Sequence, residues 1–171
     1  MSLIKDCIDI LSKMEDSEEY NKFKSVFKQN TKFIIIGNGG SNSVASHISQ
    51  DYVKKCHKHS LTFSDPSMLT CFINDYGMEN AYLEFVKAYR TYDTFIILIS
   101  SSGESENILK VIKYCEANDY PYGILTGFAK SNSARVLGRL GRNAKFDYHV
   151  NSKDYGVVEC VHQIFLHGVV E

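Results

Sequence analysis

The chain has no tryptophan, only two prolines and no CxxC pair, and its charges of opposite sign nearly cancel. A membrane-spanning helix needs roughly 20 consecutive apolar residues, and no apolar run approaches that length. The 19 Lys and Arg residues face 20 Asp and Glu residues, which leaves a net charge of −1 and no basic excess to attract nucleic acid. We therefore expect neither a membrane-spanning segment nor direct binding to nucleic acid.

The five cysteines are odd in number and widely scattered, which argues against both a disulfide framework and a zinc-finger site. Cysteines used in this way suit a reducing compartment. The first 19 residues form an amphipathic stretch with acids throughout, unlike a secretion signal. The sequence therefore predicts a cytoplasmic protein.

Strand-like and helix-like segments alternate along the chain. With 171 residues, 44% of them hydrophobic, the chain is large enough for one core and too short for two domains. We expect a single domain over residues 1–171, with an N-terminal helical extension over residues 1–30. The alternation predicts an α/β fold, in which a parallel sheet of about five strands carries helices on both faces in a Rossmann-like or flavodoxin-like arrangement.

The individual elements follow from hydrophobic periodicity. The predicted strands are 33–36, 60–63, 94–99, 121–126 and 146–150; the predicted helices are 2–14, 18–29, one that follows the Gly-rich turn at 37–41, 79–90, one that ends near 118, and 156–171. Asp65-Pro66 is expected to break the chain, residues 67–73 to form a short apolar segment, and residues 131–133 to lie in a polar stretch.

The first functional signal is the stretch 33–41. Four apolar residues run directly into the Gly-rich turn Gly37 to Ser41, and the sequence after this turn is helical. Glycines let the backbone approach a ligand closely, and Ser41 or Asn42 can cap the helix and leave free N–H groups pointing outward. This order of strand, turn and helix N-terminus suits an anion such as phosphate. The expected ligand contacts in this loop are Asn38, Gly39, Gly40 and Ser41.

A second polar loop follows the strand at 94–99. It holds four serines within six residues, at positions Ser100, Ser101, Ser102 and Ser105. Hydroxyl and backbone N–H groups can surround phosphate oxygens without formal charge, although serines also fill ordinary polar turns. Parallel strands place both loops at the carboxyl edge of the sheet, where such folds bind ligands. Two loops on one edge favour a phosphorylated small molecule.

A dinucleotide-binding interpretation is the alternative for the first loop, since GNGGSN resembles part of G-x-G-x-x-G. Asn42 takes the place of the third glycine of that motif. No clear acidic residue closes a second strand about 20 residues later to hold a ribose. The sequence therefore disfavours this interpretation.

The helix after the Gly-rich turn carries a second kind of signal. His47 and Asp51 are four residues apart, at one edge of an apolar stripe, and so lie one turn apart. The alternative is a surface pair of small energetic value. Their position just beyond an anion loop favours a functional role.

The final helix is an independent indication of a site. A solvated helix face is normally rich in Lys and Arg, and the chain has neither from residue 154 onward. Val157, Val158, Val161, Ile164, Phe165, Gly168 and Val169 are predicted to cover one side of this helix. Glu159, His162, Gln163 and His167 are predicted to share the other side. Glu159 and His167 are eight residues apart, at nearly the same angle around the helix, and could converge on one ligand or metal ion. The alternative is that these histidines are satisfied core or interface residues.

Taken together, the motifs resemble the sugar-isomerase (SIS) domain family, and within it the phosphoheptose isomerases. They are GNGGS at 37–41, H-x-x-x-acid at 47–51, NDYG at 74–77, I-S-S-S-G-x-S-x-N at 99–107, LTG at 125–127 and E-x-x-H-x-x-x-x-H at 159–167. They occur in the family's order and span nearly the whole chain. Each motif alone is weak, and the set is specific.

The resemblance implies an aldose–ketose isomerase that converts sedoheptulose 7-phosphate into D-glycero-D-manno-heptose 7-phosphate through an enediol, for lipopolysaccharide or capsule heptose. It also implies a homotetramer of SIS domains with active sites at subunit junctions. The implied phosphate contacts are Ser41, Ser100, Ser101, Ser102 and Ser105. The implied ligands of a divalent metal, usually zinc, are His47, Asp51, Glu159 and His167. Asp51 and His167 would transfer protons, Glu159 would also contact substrate, and Asp75 would touch the sugar chain.

Three departures from the family pattern bear on activity. The family has Glu where this chain has Asp51, Gln where it has Glu159, and an Asp-Arg pair where it has Gly156-Val157. A shift of about 1 Å in a catalytic carboxylate can cost roughly 10²-fold in rate. The alternatives are therefore a non-catalytic SIS protein, acting as a phosphosugar-binding regulator or a tetrameric scaffold, and an isomerase for a sugar of another chain length.

Overall fold

Strands and helices alternate along residues 2–170, the part of the chain that the computed structural model describes. The strands are β1 (Lys32–Gly37), β2 (His59–Thr62), β3 (Thr94–Ser100), β4 (Tyr122–Thr126) and β5 (Ala144–His149). The helices are α1 (Leu3–Met14), α2 (Glu18–Gln29), α3 (Gly40–Lys54), α4 (Pro66–Tyr76), α5 (Met78–Tyr89), α6 (Glu106–Ala117), α7 (Ser133–Leu140) and α8 (Tyr155–His167). Across this range, none of the helices is both long and apolar enough to cross a membrane.

All five strands are parallel and lie in the order β2-β1-β3-β4-β5, which confirms the predicted α/β fold. This is the flavodoxin-like order of a doubly wound sheet. In β1 and β3, Phe33 pairs with Phe95 and Gly37 pairs with Ile99. The strand order reverses between β1 and β3, and the crevice at such a reversal is where these folds bind ligands.

Apolar side chains of β1 and β3 alternate between two cores, one on each face of the sheet. Phe33 and Ile35 point to the core formed with α2, α3 and α8, whereas Ile34 and Ile36 point to the core formed with α4 to α7. Both faces are therefore covered, as the continuous apolar runs predict for parallel strands.

The two N-terminal helices pack on the body of the sheet. Helix α1 contacts α8, and α2 contacts β5. The Tyr20 amide donates to the Ser17 hydroxyl at 3.2 Å, which caps α2 as its Ser-Glu-Glu start predicts. Phe23 of α2 stacks on Phe165 of α8 with ring centroids 4.9 Å apart. Stacked aromatic rings thus connect the N-terminal helices to the last helix.

Two helices were not predicted from the sequence, and both begin at a residue whose side chain caps the helix. Asp65 accepts from the Met68 amide at 2.8 Å and Pro66 occupies the first turn, so Asp65-Pro66 starts α4 rather than breaking the chain. Asn132 accepts from the Arg135 amide at 3.1 Å and starts α7 within the stretch predicted to be polar. Turn-forming residues and capping residues are the same types, which explains both misses.

Candidate functional site

The loops that follow β1 and β3 meet at the point where the strand order reverses. Asn38 and Asn107 join them with two amide hydrogen bonds, one in each direction, at 3.0 and 2.9 Å. Asn107 is buried at the start of α6. The two predicted anion loops are thus held against each other by a reciprocal pair of side chains.

The start of α3 differs from the prediction that Ser41 or Asn42 caps it. The helix begins at Gly40, no side chain caps it, and Gly39 precedes it with φ of 53°. This left-handed conformation is one that glycine adopts without strain. The amide groups of the first turn are therefore not satisfied by a cap, as an anion site at a helix N-terminus requires.

Both loops line one small cavity, which we call the serine pocket. Its volume is about 120 Å³. It is lined by Asn38, Ser41, Ile99, Ser100, Ser101, Ser102, Ser105, Tyr155 and Glu159. All five serines predicted to contact phosphate are therefore brought together, and no Lys or Arg is among the lining residues. The sequence did not indicate Tyr155, because only the fold brings the start of α8 to this edge.

Hydrogen bonds within the second loop fix the shape of the serine pocket. The Gly103 amide donates to the Ser100 hydroxyl at 3.1 Å, and the Glu104 amide donates to the Ser102 hydroxyl at 3.2 Å. Ser101 differs, since its hydroxyl is buried and has no hydrogen-bond partner within residues 2–170. A buried hydroxyl without a partner is costly and points to a ligand that supplies one.

Further along α3, His47 and Asp51 meet His167 of α8 in what we call the His/Asp group. The Asp51 Oδ2 atom lies 3.8 Å from His47 Nε2 and 3.6 Å from His167 Nε2. The two imidazoles stack with ring centroids 5.0 Å apart. Lys55 Nζ lies 3.3 Å from the same Asp51 oxygen. The helical spacing predicted this pairing of His47 with Asp51, and the packing of α8 on α3 adds His167.

His167 is placed to act as a base or a metal ligand. Burial is the main cause that lowers its pKa, and the nearby His47 and Lys55 lower it further, while Asp51 opposes them. A neutral imidazole can bind a metal ion. Its Nε2 atom is buried without a hydrogen-bond partner within residues 2–170.

The donor atoms of the His/Asp group suit a divalent metal ion. One nitrogen from each histidine and one Asp51 oxygen all lie within 4.8 Å of one another. Two imidazoles and a carboxylate are ligands that zinc prefers, and neighbouring ligand atoms of a tetrahedral zinc site lie about 3.4 Å apart. The unpartnered His167 Nε2 and this donor set together fit the predicted metal.

Glu159 is not among the residues of the His/Asp group, although the sequence predicts it as a fourth ligand. Eight residues of helix span about 12 Å, and Glu159 lies that far up α8 from His167. Its carboxylate packs on Gly40, where an added Cβ would collide with it. The structure therefore brings three of the four predicted ligands together and places Glu159 in the serine pocket.

Asp75 also lies apart from the other predicted residues. It is exposed near the end of α4, where its carboxylate accepts from Asn74 Nδ2 at 3.0 Å and from the Cys71 thiol at 3.7 Å. It does not line the serine pocket. Within residues 2–170, no hydrogen bond or ion pair joins Asp75 to the serine pocket or to the His/Asp group.

The prediction that His162 shares the polar side of the last helix is wrong. His162 is fully buried, and its Nε2 donates to the Thr126 carbonyl at 3.0 Å. Burial lowers the pKa of His162 to about 4, and the neighbouring His149 contributes to the decrease. Burial likewise lowers the pKa of His149 to about 4, with smaller contributions from nearby cations. Both histidines are therefore neutral and flank Thr126 at the end of β4.

Known proteins resemble this chain over most of its length. No protein-family model matches it. A phosphoheptose isomerase of Fusobacterium nucleatum is 29% identical over 188 residues, which cover 100% of this chain and 91% of that protein. A phosphoheptose isomerase of Histophilus somni is 30% identical over 132 residues, which cover 70% of this chain and 68% of that protein.

The fold is shared with a solved structure as well. The phosphoheptose isomerase of Neisseria gonorrhoeae superposes with a TM-score of 0.83 and covers 98% of this chain and 93% of that chain. The two sequences are 21% identical. At this identity the likeness supports the architecture, while the two curated relatives carry the argument about family.

Proposed function

The chain belongs to the phosphoheptose isomerase family, and from this premise we propose that it interconverts sedoheptulose 7-phosphate and D-glycero-D-manno-heptose 7-phosphate. One observation carries the proposal: α3 presents the serine pocket at its first turn and the His/Asp group further along the same helix. Ser41 and His47 are about 9 Å apart along the helix axis. This spacing is comparable with the length of an extended seven-carbon sugar phosphate.

The serine pocket binds the phosphate in this proposal. Its hydroxyl and amide groups donate to the phosphate oxygens, and the buried Ser101 hydroxyl gains the partner that it lacks within the described chain. Binding energy from this remote end orients the reacting carbons at the His/Asp group.

Asp51 and His167 transfer the protons in this proposal. Aldose–ketose isomerisation moves a proton between two adjacent carbons, so it needs one group to remove the proton and one to return it. Asp51 removes the proton from carbon, and the lowered pKa of His167 keeps its imidazole able to exchange a proton with the sugar oxygens. A carboxylate has two oxygens, so Asp51 can accept a proton on one while the other faces the histidines.

We assign a zinc site to His47, Asp51 and His167, which offer two nitrogens and one oxygen close together. When bound, zinc supplies the positive charge that polarises the sugar oxygens. The Lys55 ammonium lies 3.3 Å from Asp51 Oδ2 and partly neutralises that carboxylate.

We also propose that the enzyme is a homotetramer in which a second subunit completes the site. Asp75 is a predicted sugar contact that lies outside the serine pocket of its own chain. No residue of α4 is fully buried, and Ile4 and Ile8 of α1 are 67% and 60% exposed. Apolar helix surfaces of this kind suit burial between subunits. Light scattering of the intact protein should give a tetramer, and a monomer at micromolar concentration would contradict this assignment.

A cytoplasmic location completes the proposal. Cys7, Cys71, Cys115 and Cys160 are free thiols. Free thiols on a protein surface, such as those of Cys71 and Cys160, persist best in a reducing compartment.

The deciding experiment is incubation with sedoheptulose 7-phosphate, with and without added zinc, followed by chromatographic separation of the two isomers. Formation of the aldose, increased by zinc, is the expected result. Binding without conversion would instead favour a phosphosugar-binding regulator. Conversion only of a shorter sugar phosphate would keep the reaction class and change the substrate.

A further inference from the structure

We propose that Glu159 competes with phosphate for the serine pocket and thereby keeps inorganic phosphate from occupying it. Its carboxylate lowers the affinity of every phosphate ligand there, so only substrates whose far end also reaches the His/Asp group bind tightly. This inference rests on the proposed function, because it takes the serine pocket as the phosphate site.

The Glu159 carboxylate lies beside the N-terminus of α3, where an anion would bind. It lines the serine pocket together with Ser41 and Ser101. It also lies against Gly40, the first residue of α3, so closely that a side chain at that position would collide with it. Unsatisfied amide groups and the positive end of the helix dipole make this the place where a phosphate would bind.

Nothing else in the described chain neutralises this carboxylate. Glu159 forms no hydrogen bond and no ion pair within residues 2–170, and no cationic side chain lines the serine pocket. A phosphate that enters therefore meets, at close range, a negative charge that no cationic side chain and no hydrogen bond neutralises. Two like charges side by side repel each other, and the repulsion is stronger where little water separates them.

The size of the serine pocket makes the competition steric as well as electrostatic. The cavity is about 120 Å³ with the Glu159 carboxylate at its wall. A phosphosugar that displaces the carboxylate recovers free energy from contacts at the His/Asp group, whereas inorganic phosphate has no such contacts. The cost of displacing Glu159 is the same for both ligands, and only the phosphosugar has further contacts that offset it.

Calorimetric titration with inorganic phosphate tests the inference on three variants. Glu159→Gln keeps the size and removes the charge, so it should bind phosphate at least about tenfold more tightly than the original protein. Glu159→Asp keeps the charge and should remain a weak binder. The matched control is Glu106→Gln, since Glu106 is exposed in the first turn of α6 and does not line the pocket. This control should bind phosphate like the original protein, and circular dichroism should show all variants folded.

The outcomes separate this inference from the proposed function. Equal phosphate affinity in the original protein and Glu159→Gln would overturn the role of Glu159 and leave the isomerase assignment standing. Equal tightening in Glu106→Gln would also overturn it, because the effect would then come from net charge rather than from the serine pocket. If neither protein bound phosphate or phosphosugar, the serine pocket would not be the phosphate site and both proposals would fail.

Discussion

The two ends of the candidate site lie on one helix and differ in chemistry. The serine pocket uses neutral donors, and hydrogen bonds within its loop hold their geometry. The His/Asp group uses ionisable side chains, of which His47 is half exposed while Asp51 is largely buried. No hydrogen bond in the described chain fixes the buried His167 Nε2.

Under the proposed function, α3 serves substrate binding at its first turn and the reaction further along the helix. Neutral donors placed by backbone turns cost little when they wait for a ligand, and they do not change with pH. The pKa values of titratable groups shift when the groups are buried or lie close to one another, and tertiary packing is needed to place them so. We therefore expect substitutions in the His/Asp group to act on turnover and those in the serine pocket to act on affinity.

The largest expected effect is that of Asp51→Asn. Loss of the base should lower kcat for sedoheptulose 7-phosphate by about 10²- to 10⁴-fold with little change in KM. Asp51 is also one of the three assigned zinc ligands, so kcat is compared at saturating zinc. Asp51→Glu, which restores the family's residue, should keep or raise the rate. Asp93→Asn, at an ion pair with Lys32 outside the site, is the control. A normal rate in Asp51→Asn would remove Asp51 from the role of base.

The next effect concerns the metal and uses His167→Ala. Changing a residue that only hydrogen-bonds to a metal ligand costs roughly 10- to 100-fold in metal affinity, and removal of this imidazole should weaken zinc binding by more than that. Zinc content after dialysis, measured by mass spectrometry, reports this loss separately from activity. His59→Ala changes an exposed histidine of β2 and should keep the metal. Full zinc content in His167→Ala would exclude it from the ligand set.

A smaller effect is expected at the binding end, from Ser101→Ala. A hydrogen bond to a charged group contributes about 1.5–3 kcal/mol, so phosphosugar affinity should fall at least about tenfold while kcat at saturation changes little. Because the hydroxyl has no partner in the described chain, the free energy of unfolding should stay the same or rise. Ser12→Ala, on the exposed face of α1, is the matched control. Unchanged affinity in Ser101→Ala would show that this hydroxyl does not meet the ligand.

The last expected effect concerns stability in acid and the two histidines beside Thr126. The pKa of buried His162 is lowered to about 4 from its ordinary value of 6.5, so the unfolded chain binds a proton between these values and the folded chain does not. Stability is therefore complete above pH 6.5 and falls by about 1.4 kcal/mol per pH unit as the pH drops towards 4. His149, whose pKa is also about 4, acts in the same direction.

Denaturant unfolding at several pH values measures this slope. His162→Gln should flatten it, whatever its effect on stability at neutral pH, and His59→Gln should leave it unchanged. An unchanged slope in His162→Gln would mean that His162 is not held neutral by burial.

Much of the fold and half of the site could be predicted from local patterns. The apolar run Phe33 to Ile36 and the glycines after it specify a buried strand and a tight turn, because both depend only on neighbouring residues. The four-residue spacing of His47 and Asp51 places them one turn apart on any helix. The serine loops were predictable for the same reason, since parallel strands bring their carboxyl ends to one edge.

Local patterns failed to predict two helices, because the capping residues Asp65 and Asn132 were mistaken for turn residues. They also failed to predict which element packs against a given side chain of a helix. Helical periodicity gives the angle of a side chain around the axis, and it does not give the neighbour that packs there. His162 was predicted to be polar-facing for this reason, and the end of β4 covers it instead.

The α/β architecture, the two loops at the sheet edge and the pairing of His47 with Asp51 were predictable because they follow from apolar periodicity and residue spacing. Tertiary packing was needed to separate the two predicted ligands of α8, since His167 lies beside Asp51 whereas Glu159, two helical turns away, lies against Gly40. Because α8 packs along α3, each turn of one helix meets a different turn of the other. A rise of about 5.4 Å per turn therefore separates two side chains that share one face of α8.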